Sequence, residues 1–185
     1  MKTLTLLRHA KSDWDDPVAR DFDRPLNRKG RRAACQIGAE MRALGLAFDR
    51  VVASPAARVV ETLADIGESY GAPIRAIYDE RLYLATVATL LAVIQETDDA
   101  VGRLLLVGHN PGLERLAMLL TGDDGGALRG EMAAKYPTGT VAEISLPVDR
   151  WRDVVVGIGR VERFIRPRDL DPALGPDREI ANGRR

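Results

Sequence analysis

Three short apolar runs, each cut off by a polar turn, constrain the fold of this chain more than any other feature. Thr3 to Leu7, Arg50 to Ala53 and Arg103 to Val107 have strand character, and each stops abruptly. The first ends in Arg8-His9, the second in Ser54-Pro55 with Arg58 close behind, and the third in Gly108-His109-Asn110-Pro111. The second and third lead straight into helical patterns. Ser54 can N-cap, and Pro55 suits a first helical position because its missing N–H would be unpaired there in any case. Asn110-Pro111 repeats the device before a helix through Leu113 to Leu120 that stops at Gly122. Strand, polar turn, helix is the βα unit.

Between these units the spacing predicts a helix from Arg28 to Leu44, capped by Asn27, with Ala34, Ile37, Met41 and Leu44 on one face and Gly45 ending it. Pro73 to Tyr78 reads as a short strand, and Thr86 can cap a helix carrying Val87, Leu90, Leu91 and Ile94. Val141 to Leu146 alternates as a strand, with Ala142, Ile144 and Leu146 opposite Glu143 and Ser145; Asp153 to Ile158 (DVVVGI) reads as a further strand. Strands alternating with helices predict an α/β fold, a three-layer sandwich whose mainly parallel central sheet is covered by helices on both faces. A length of 185 residues suits one core. Residues 1–166 are therefore expected to form a single domain, and 167–185, with three prolines and scattered charges, a loosely ordered C-terminal extension.

Lys+Arg and Asp+Glu are 27 each, so nothing in the charge balance points to nucleic acid or a membrane surface. Cys35 is the one cysteine, which excludes an intramolecular disulfide and a thiolate metal cluster and fits a cytoplasmic location. The first apolar stretch is broken by Arg8 before it could serve as a signal-peptide core, and no run approaches the roughly 20 apolar residues of a membrane span.

An anion site must then be local. In an open parallel sheet, ligands bind beyond the carboxyl ends of the strands, where Arg8, His9, Arg58 and His109 fall. The chain has two histidines, and both lie there. Two Arg and two His on one rim make a cationic cup suited to a phosphoryl group, whose oxygens match guanidinium forks. No GK[ST] phosphate loop occurs. A paired-histidine metal site is opposed by Arg8 beside His9 and by the lack of an acidic cluster close behind either histidine. A neutral imidazole can instead attack phosphorus, and a neighbouring Arg helps keep it unprotonated. Charge alone does not say which histidine attacks.

The stretches LLRHAKS, PLNRKG, SPAARVVET and VGHNPGLE, in that order, resemble the histidine phosphatase superfamily, and closely its short bacterial SixA-type phosphohistidine phosphatase branch. The resemblance covers everything before the extension. It implies a phosphoglycerate mutase-like α/β sandwich, a nucleophile at His9, and a phosphate pocket completed by Arg8, Arg58 and His109, with no metal or other cofactor. Lys11, Ser12 and Asn27 are further candidates to line the phosphate site, Asn27 also serving as a helix cap. The superfamily's usual Arg-His-Gly reads Arg-His-Ala here; Ala10 rules out a backbone that only glycine tolerates but removes no catalytic group.

Larger relatives use a carboxylic acid to protonate the leaving group, and Glu80, in Asp79-Glu80-Arg81-Leu82-Tyr83, stands at the matching place. A placed acid is worth about 10² to 10⁴ in rate for an alkoxide leaving group, whereas a phosphoramidate nitrogen can already carry its proton. Only 22 residues separate Glu80 from Arg103, too few for a substantial lid. The expectation is a phosphatase acting on protein phosphohistidine. The alternatives are a phosphomonoesterase for a small phosphorylated metabolite and a non-catalytic phospho-ligand binding module.

Overall fold

In the computed structural model, which describes residues 1–14, 20–122 and 126–176, four neighbouring parallel strands carry the chemistry-bearing ends of the chain. The elements are β1 (Lys2–Arg8), α1 (Arg28–Ala43), β2 (Arg50–Ala53), α2 (Ala57–Tyr70), β3 (Ile77–Tyr78), α3 (Val87–Gln95), β4 (Arg103–Gly108), α4 (Gly112–Leu120), α5 (Ala127–Ala134), β5 (Val141–Leu146), β6 (Arg160–Ile165) and α6 (Pro167–Leu170). The strands form one sheet in the order β3-β2-β4-β1-β5-β6. The pairs β2/β3, β2/β4 and β1/β4 are parallel, while β5 runs antiparallel to β1 and to β6.

Strand alternation divides the core into two layers. Leu7, Val51, Ala53, Leu105 and Val107 face α1 and α2, meeting Ala34, Ile37, Met41, Val59, Leu63 and Ile66. Leu4, Leu6, Val52, Leu104, Leu106, Ala142, Ile144 and Leu146 face α3, α4 and α5 on the other side, against Leu90, Ile94, Leu113, Leu116 and Met132. Burying each such side chain is worth roughly 1.5–3 kcal/mol. The central strands are apolar on both faces because both faces are covered.

The predicted α1 starts under its Asn27 cap, whose side chain accepts from Gly30 N–H, and Thr86 caps α3 through Thr89 N–H. Other expectations need correction. The stretch Asp153–Ile158 is not a strand: Trp151–Asp153 is a 3-10 turn, Trp151 and Val154 are buried anchors, and Val155 and Val156 point to solvent. Gly157 there adopts a left-handed φ of 72°, and the place beside β5 is taken by Arg160–Ile165. Hydrophobic content alone could not distinguish the two segments. Of 73–78, only Ile77–Tyr78 pairs. Neither βα helix begins where the proline rule placed it: α2 starts at Ala57 and α4 at Gly112. The Ser54 hydroxyl is used elsewhere.

The extension is not loose where it is described. Residues 167–176 form α6 and a 3-10 turn, Pro172–Leu174, that lie on α1. Pro167 is buried, Arg32 bonds Asp171, and Lys29 donates to the Gly175 carbonyl. The rest of the expected loose extension, 177–185, lies outside the described residues.

Candidate active site

The register sets the two histidines side by side. In the parallel β1/β4 pair Arg8 is level with Gly108, so His9 and His109 each follow at the same height. His9 N–H continues the ladder by donating to Gly108 O at 3.1 Å, and the ring centroids lie 5.2 Å apart. Ala53 is level with Val107 in the β2/β4 pair, which brings Ser54 alongside. Arg58, in the first turn of α2, reaches between the two imidazoles. Thr62, one turn on, accepts from Ala10 N–H at 3.0 Å and donates to Arg58 O at 2.6 Å, locking α2 to the loop after β1.

Hydrogen bonds define both ring tautomers. His9 Nδ1–H donates to the Ala10 carbonyl at 2.7 Å, leaving a lone pair on Nε2, which accepts from Arg58 Nε–H at 3.3 Å. Arg58 has only donors, so its Nη2–H, 3.2 Å from His109 Nδ1, makes that nitrogen the acceptor. The proton of His109 is then on Nε2, which donates to Ser54 Oγ at 2.8 Å. Both imidazoles are neutral. Burial, then the nearby His109, Arg58 and Arg8, pushes His9 down to about 3; burial and Arg58 push His109 down to about 4.

A cavity of about 270 Å³ opens over these groups. Arg8, His9, Arg58 and His109 all line it, as do Lys11 and Ser12. Arg8 donates through Nη1 to the Tyr136 carbonyl, while its buried Nε–H has no partner among the described residues. That is the kind of orphan donor an oxyanion would satisfy. Asn27 is not in the lining; its side chain is spent on capping α1. Glu80 is exposed in the 3-10 turn Glu80–Leu82 and is not in the lining either. Its neighbours Asp79 and Arg81 are occupied with each other and with Glu96.

Among the described residues, the carboxylate that does line the cavity is Asp21, which sequence reasoning missed. Its Oδ2 accepts from Arg58 Nη2 at 3.1 Å and from the Tyr83 hydroxyl at 2.5 Å, its Oδ1 from Arg24 at 2.8 Å, and its backbone oxygen from Arg58 Nη1 at 2.6 Å. Burial acts to raise its pKa, but the Tyr83 hydrogen bond and the Arg58 and Arg24 charges outweigh it and hold the carboxyl below the usual range. Tyr83 also sets its ring edge-on to His109, with centroids 5.5 Å apart. Trp14 lines the mouth, with Arg24 stacked 3.4 Å above its ring. Asp21 follows no strand and starts no long helix, so periodicity carried no signal for it. The sequence suits Ser54 to a helix cap, whereas in the fold its hydroxyl is the partner of His109.

Among the described residues no three His, Cys, Asp or Glu side chains gather into a metal-binding group, and no helix is long and apolar enough to cross a membrane.

Comparison with known proteins agrees with this geometry. The family model described as histidine phosphatase superfamily (branch 1) matches residues 4–83. An uncharacterized protein of Mycobacterium tuberculosis is 38% identical over 164 residues, spanning 88% of this chain and 100% of the relative. Two solved structures, both provisionally designated phosphohistidine phosphatase SixA, are 29% identical to it. The one from Agrobacterium tumefaciens has a TM-score of 0.75 and covers 89% of this chain and 97% of its own. The one from Nakamurella has a TM-score of 0.77 and covers 90% and 96%. The chain therefore belongs to the histidine phosphatase superfamily, as a phosphatase with the SixA-type fold.

Proposed function

We propose that the phosphatase works through a phosphorylated His9 and that its substrate class is protein phosphohistidine. One observation supports this above the others: the cavity presents an unprotonated imidazole nitrogen, yet among its described lining residues no carboxyl group is poised to give up a proton. An incoming phosphoryl group carries two negative charges to the place where Arg58 Nε and Nη2 now bond the ring nitrogens. Those N–H groups turn to its oxygens, joined by Arg8, and His9 Nε2 is released for in-line attack. The dianion also favours protonation of His109, whose Nδ1 becomes a donor in place of an acceptor.

In the first step a bond forms between His9 Nε2 and phosphorus while the substrate's P–N bond breaks, the electron pair leaving with the substrate imidazole. If that ring already carries a proton on its other nitrogen, it departs neutral and needs no acid. Water then attacks phosphorus, the P–Nε2 bond breaks, and His9 recovers its lone pair as inorganic phosphate leaves. The first step is harder for an alkoxide leaving group, because Asp21 is held anionic by Arg58, Arg24 and Tyr83 and Glu80 stands outside the cavity. Electrostatic positioning carries most of the rate in this scheme.

Incubating wild type and His9→Ala with a phosphohistidine protein and with p-nitrophenyl phosphate tests the reading. Turnover is expected only in the wild type, with an acid-labile phosphoenzyme on rapid quenching. Equal turnover by His9→Ala removes His9 from the mechanism, and phosphate binding without turnover by the wild type supports a binding module instead. Glu80→Gln should leave both activities within about twofold, short of the 10² to 10⁴ a positioned acid supplies. A selective loss of phosphomonoester hydrolysis in that variant would restore Glu80 as the acid.

A further inference from the structure

Among the described residues that line the catalytic cavity, a single carboxylate stands with the cations: Asp21, beside Arg8, Arg24 and Arg58. A negative charge in that wall opposes the binding of a phosphate dianion. Its hydrogen bonds show what it does instead.

Asp21 opens a 3-10 turn, Asp21–Asp23, that packs on α2. From there it grips Arg58 twice, at Nη1 through its backbone oxygen (2.6 Å) and at Nη2 through Oδ2 (3.1 Å). A guanidinium group is planar, with its donors in a fixed fork. Asp21 therefore occupies the Nη1/Nη2 edge, while the Nε/Nη2 edge is turned to the two imidazoles, 3.3 Å from His9 Nε2 and 3.2 Å from His109 Nδ1. Only the second edge faces a phosphoryl group in line with His9. The carboxylate is itself braced. The Tyr83 hydroxyl donates to Oδ2 at 2.5 Å, and Arg24 donates to Oδ1 through Nε (3.1 Å) and Nη2 (2.8 Å). Phe22, the next residue in the turn, sets its ring edge-on to Tyr83 with centroids 5.1 Å apart. Arg58 has a side-chain exposure of 2% and Asp21 one of 42%, so the hold on a buried cation comes from its solvent side.

We propose that Asp21 is a positioning residue with two opposed effects: it holds Arg58 by the edge that the phosphoryl group does not use, and its negative charge limits how tightly the cup binds phosphate, so that product leaves. The proposal rests on the reading of the cup as the phosphate site. One guanidinium group away from a dianion, a single carboxylate charge is worth about tenfold in affinity even at the dielectric constant of water. Without that charge, Arg8, Arg24 and Arg58 would line the cavity with no acidic counterweight among the described lining residues. Phosphate would then stay bound longer, and its release would slow turnover.

Calorimetric titration with inorganic phosphate at about pH 8 tests the charge without requiring turnover. Asp21→Asn keeps an oxygen for Arg58 Nη2 and removes the charge. It should bind phosphate about tenfold more tightly than wild type, and phosphate should inhibit its hydrolysis of p-nitrophenyl phosphate at correspondingly lower concentration. Asp23→Asn removes a charge from the same turn but outside the cavity lining, and its phosphate Kd should stay within about twofold of wild type. Asp21→Ala also removes the side-chain hold on Arg58, so its kcat should fall about tenfold or more below that of Asp21→Asn. The two Asn variants decide the charge effect even where Asp21→Ala does not fold. Phosphate binding by Asp21→Asn no tighter than by wild type, or an equal gain in Asp23→Asn, overturns the proposal, and equal kcat in Asp21→Asn and Asp21→Ala overturns the hold on Arg58. Phosphate binding by none of these proteins overturns the reading of the cup itself.

Discussion

Lowering the pH from 7.5 to 5 should destabilise this protein by about 4 kcal/mol through its two histidines alone, each contributing roughly 2. Their ordinary pKa is 6.5, and folding lowers it to about 3 for His9 and about 4 for His109. Because the folded values lie below the unfolded ones, the unfolded chain binds protons first as pH falls. Stability is thus complete above about 6.5 and drains away toward 3–4. At pH 5 the unfolded rings are charged and the folded ones still neutral, so each loses about 1.4 kcal/mol per unit over roughly 1.5 units. The result depends little on the folded values so long as both stay well below 5. Asp21, Asp49, Asp79 and Asp169, all held low, contribute mainly at more acid pH.

Urea unfolding at the two pH values measures the loss, and His109→Gln should recover roughly half of it. With two histidines in the chain, the imidazole carbon-bound protons give two resolvable titrations by NMR, both expected to stay neutral at pH 5.5. A ring that titrates near 6.5 in the folded protein, or a pH dependence unchanged in the variant, would refute the claim that the pocket keeps its nucleophile unprotonated. The consequence for catalysis is that His9 remains competent in mild acid.

Two further outcomes follow from particular contacts. Ser54→Ala deprives His109 Nε2–H of its acceptor at a buried site and should cost about 1–3 kcal/mol. Its kcat should fall while Ser54→Thr, which keeps the hydroxyl, retains most of the activity. Gly30→Ala forces a methyl group against Lys11 O and should lower stability by about 3 kcal/mol or more, with a raised KM for p-nitrophenyl phosphate, because the backbone beside the cup must shift. Gly130→Ala, with nothing near its Cβ, is the helical control and should stabilise by roughly 0.5–1 kcal/mol. Urea midpoints separate the two glycine variants.

His9, Arg8, Arg58 and His109 could be read from the chain because each lies where an apolar run stops. Strand ends are local events, and a parallel sheet gathers its strand ends at one rim whatever the loops do. Glu80 was placed by a motif whose neighbours matched, but whether a carboxylate in a short turn faces the cavity depends on the turn's own geometry, which periodicity does not encode. Asp153–Ile158 misled for a related reason: valines follow one another wherever something apolar is needed nearby, and only competition for the edge of β5 decides which segment pairs.

By itself the amino-acid order determined the alternation of strands and helices, the two faces of the core, and the histidine that directly follows each of two strands, since these rest on periodicity and on short-range breakers. Only the tertiary structure decided the tautomers of the two imidazoles, the pinning of Asp21 by Arg58, Arg24 and Tyr83, and the seating of α6 on α1. Apart from Arg24 on Asp21 and Ala10 on His9, those features join residues tens to more than a hundred positions apart, and hydrogen-bond directions and burial exist only once the backbone has brought such residues within a few ångströms.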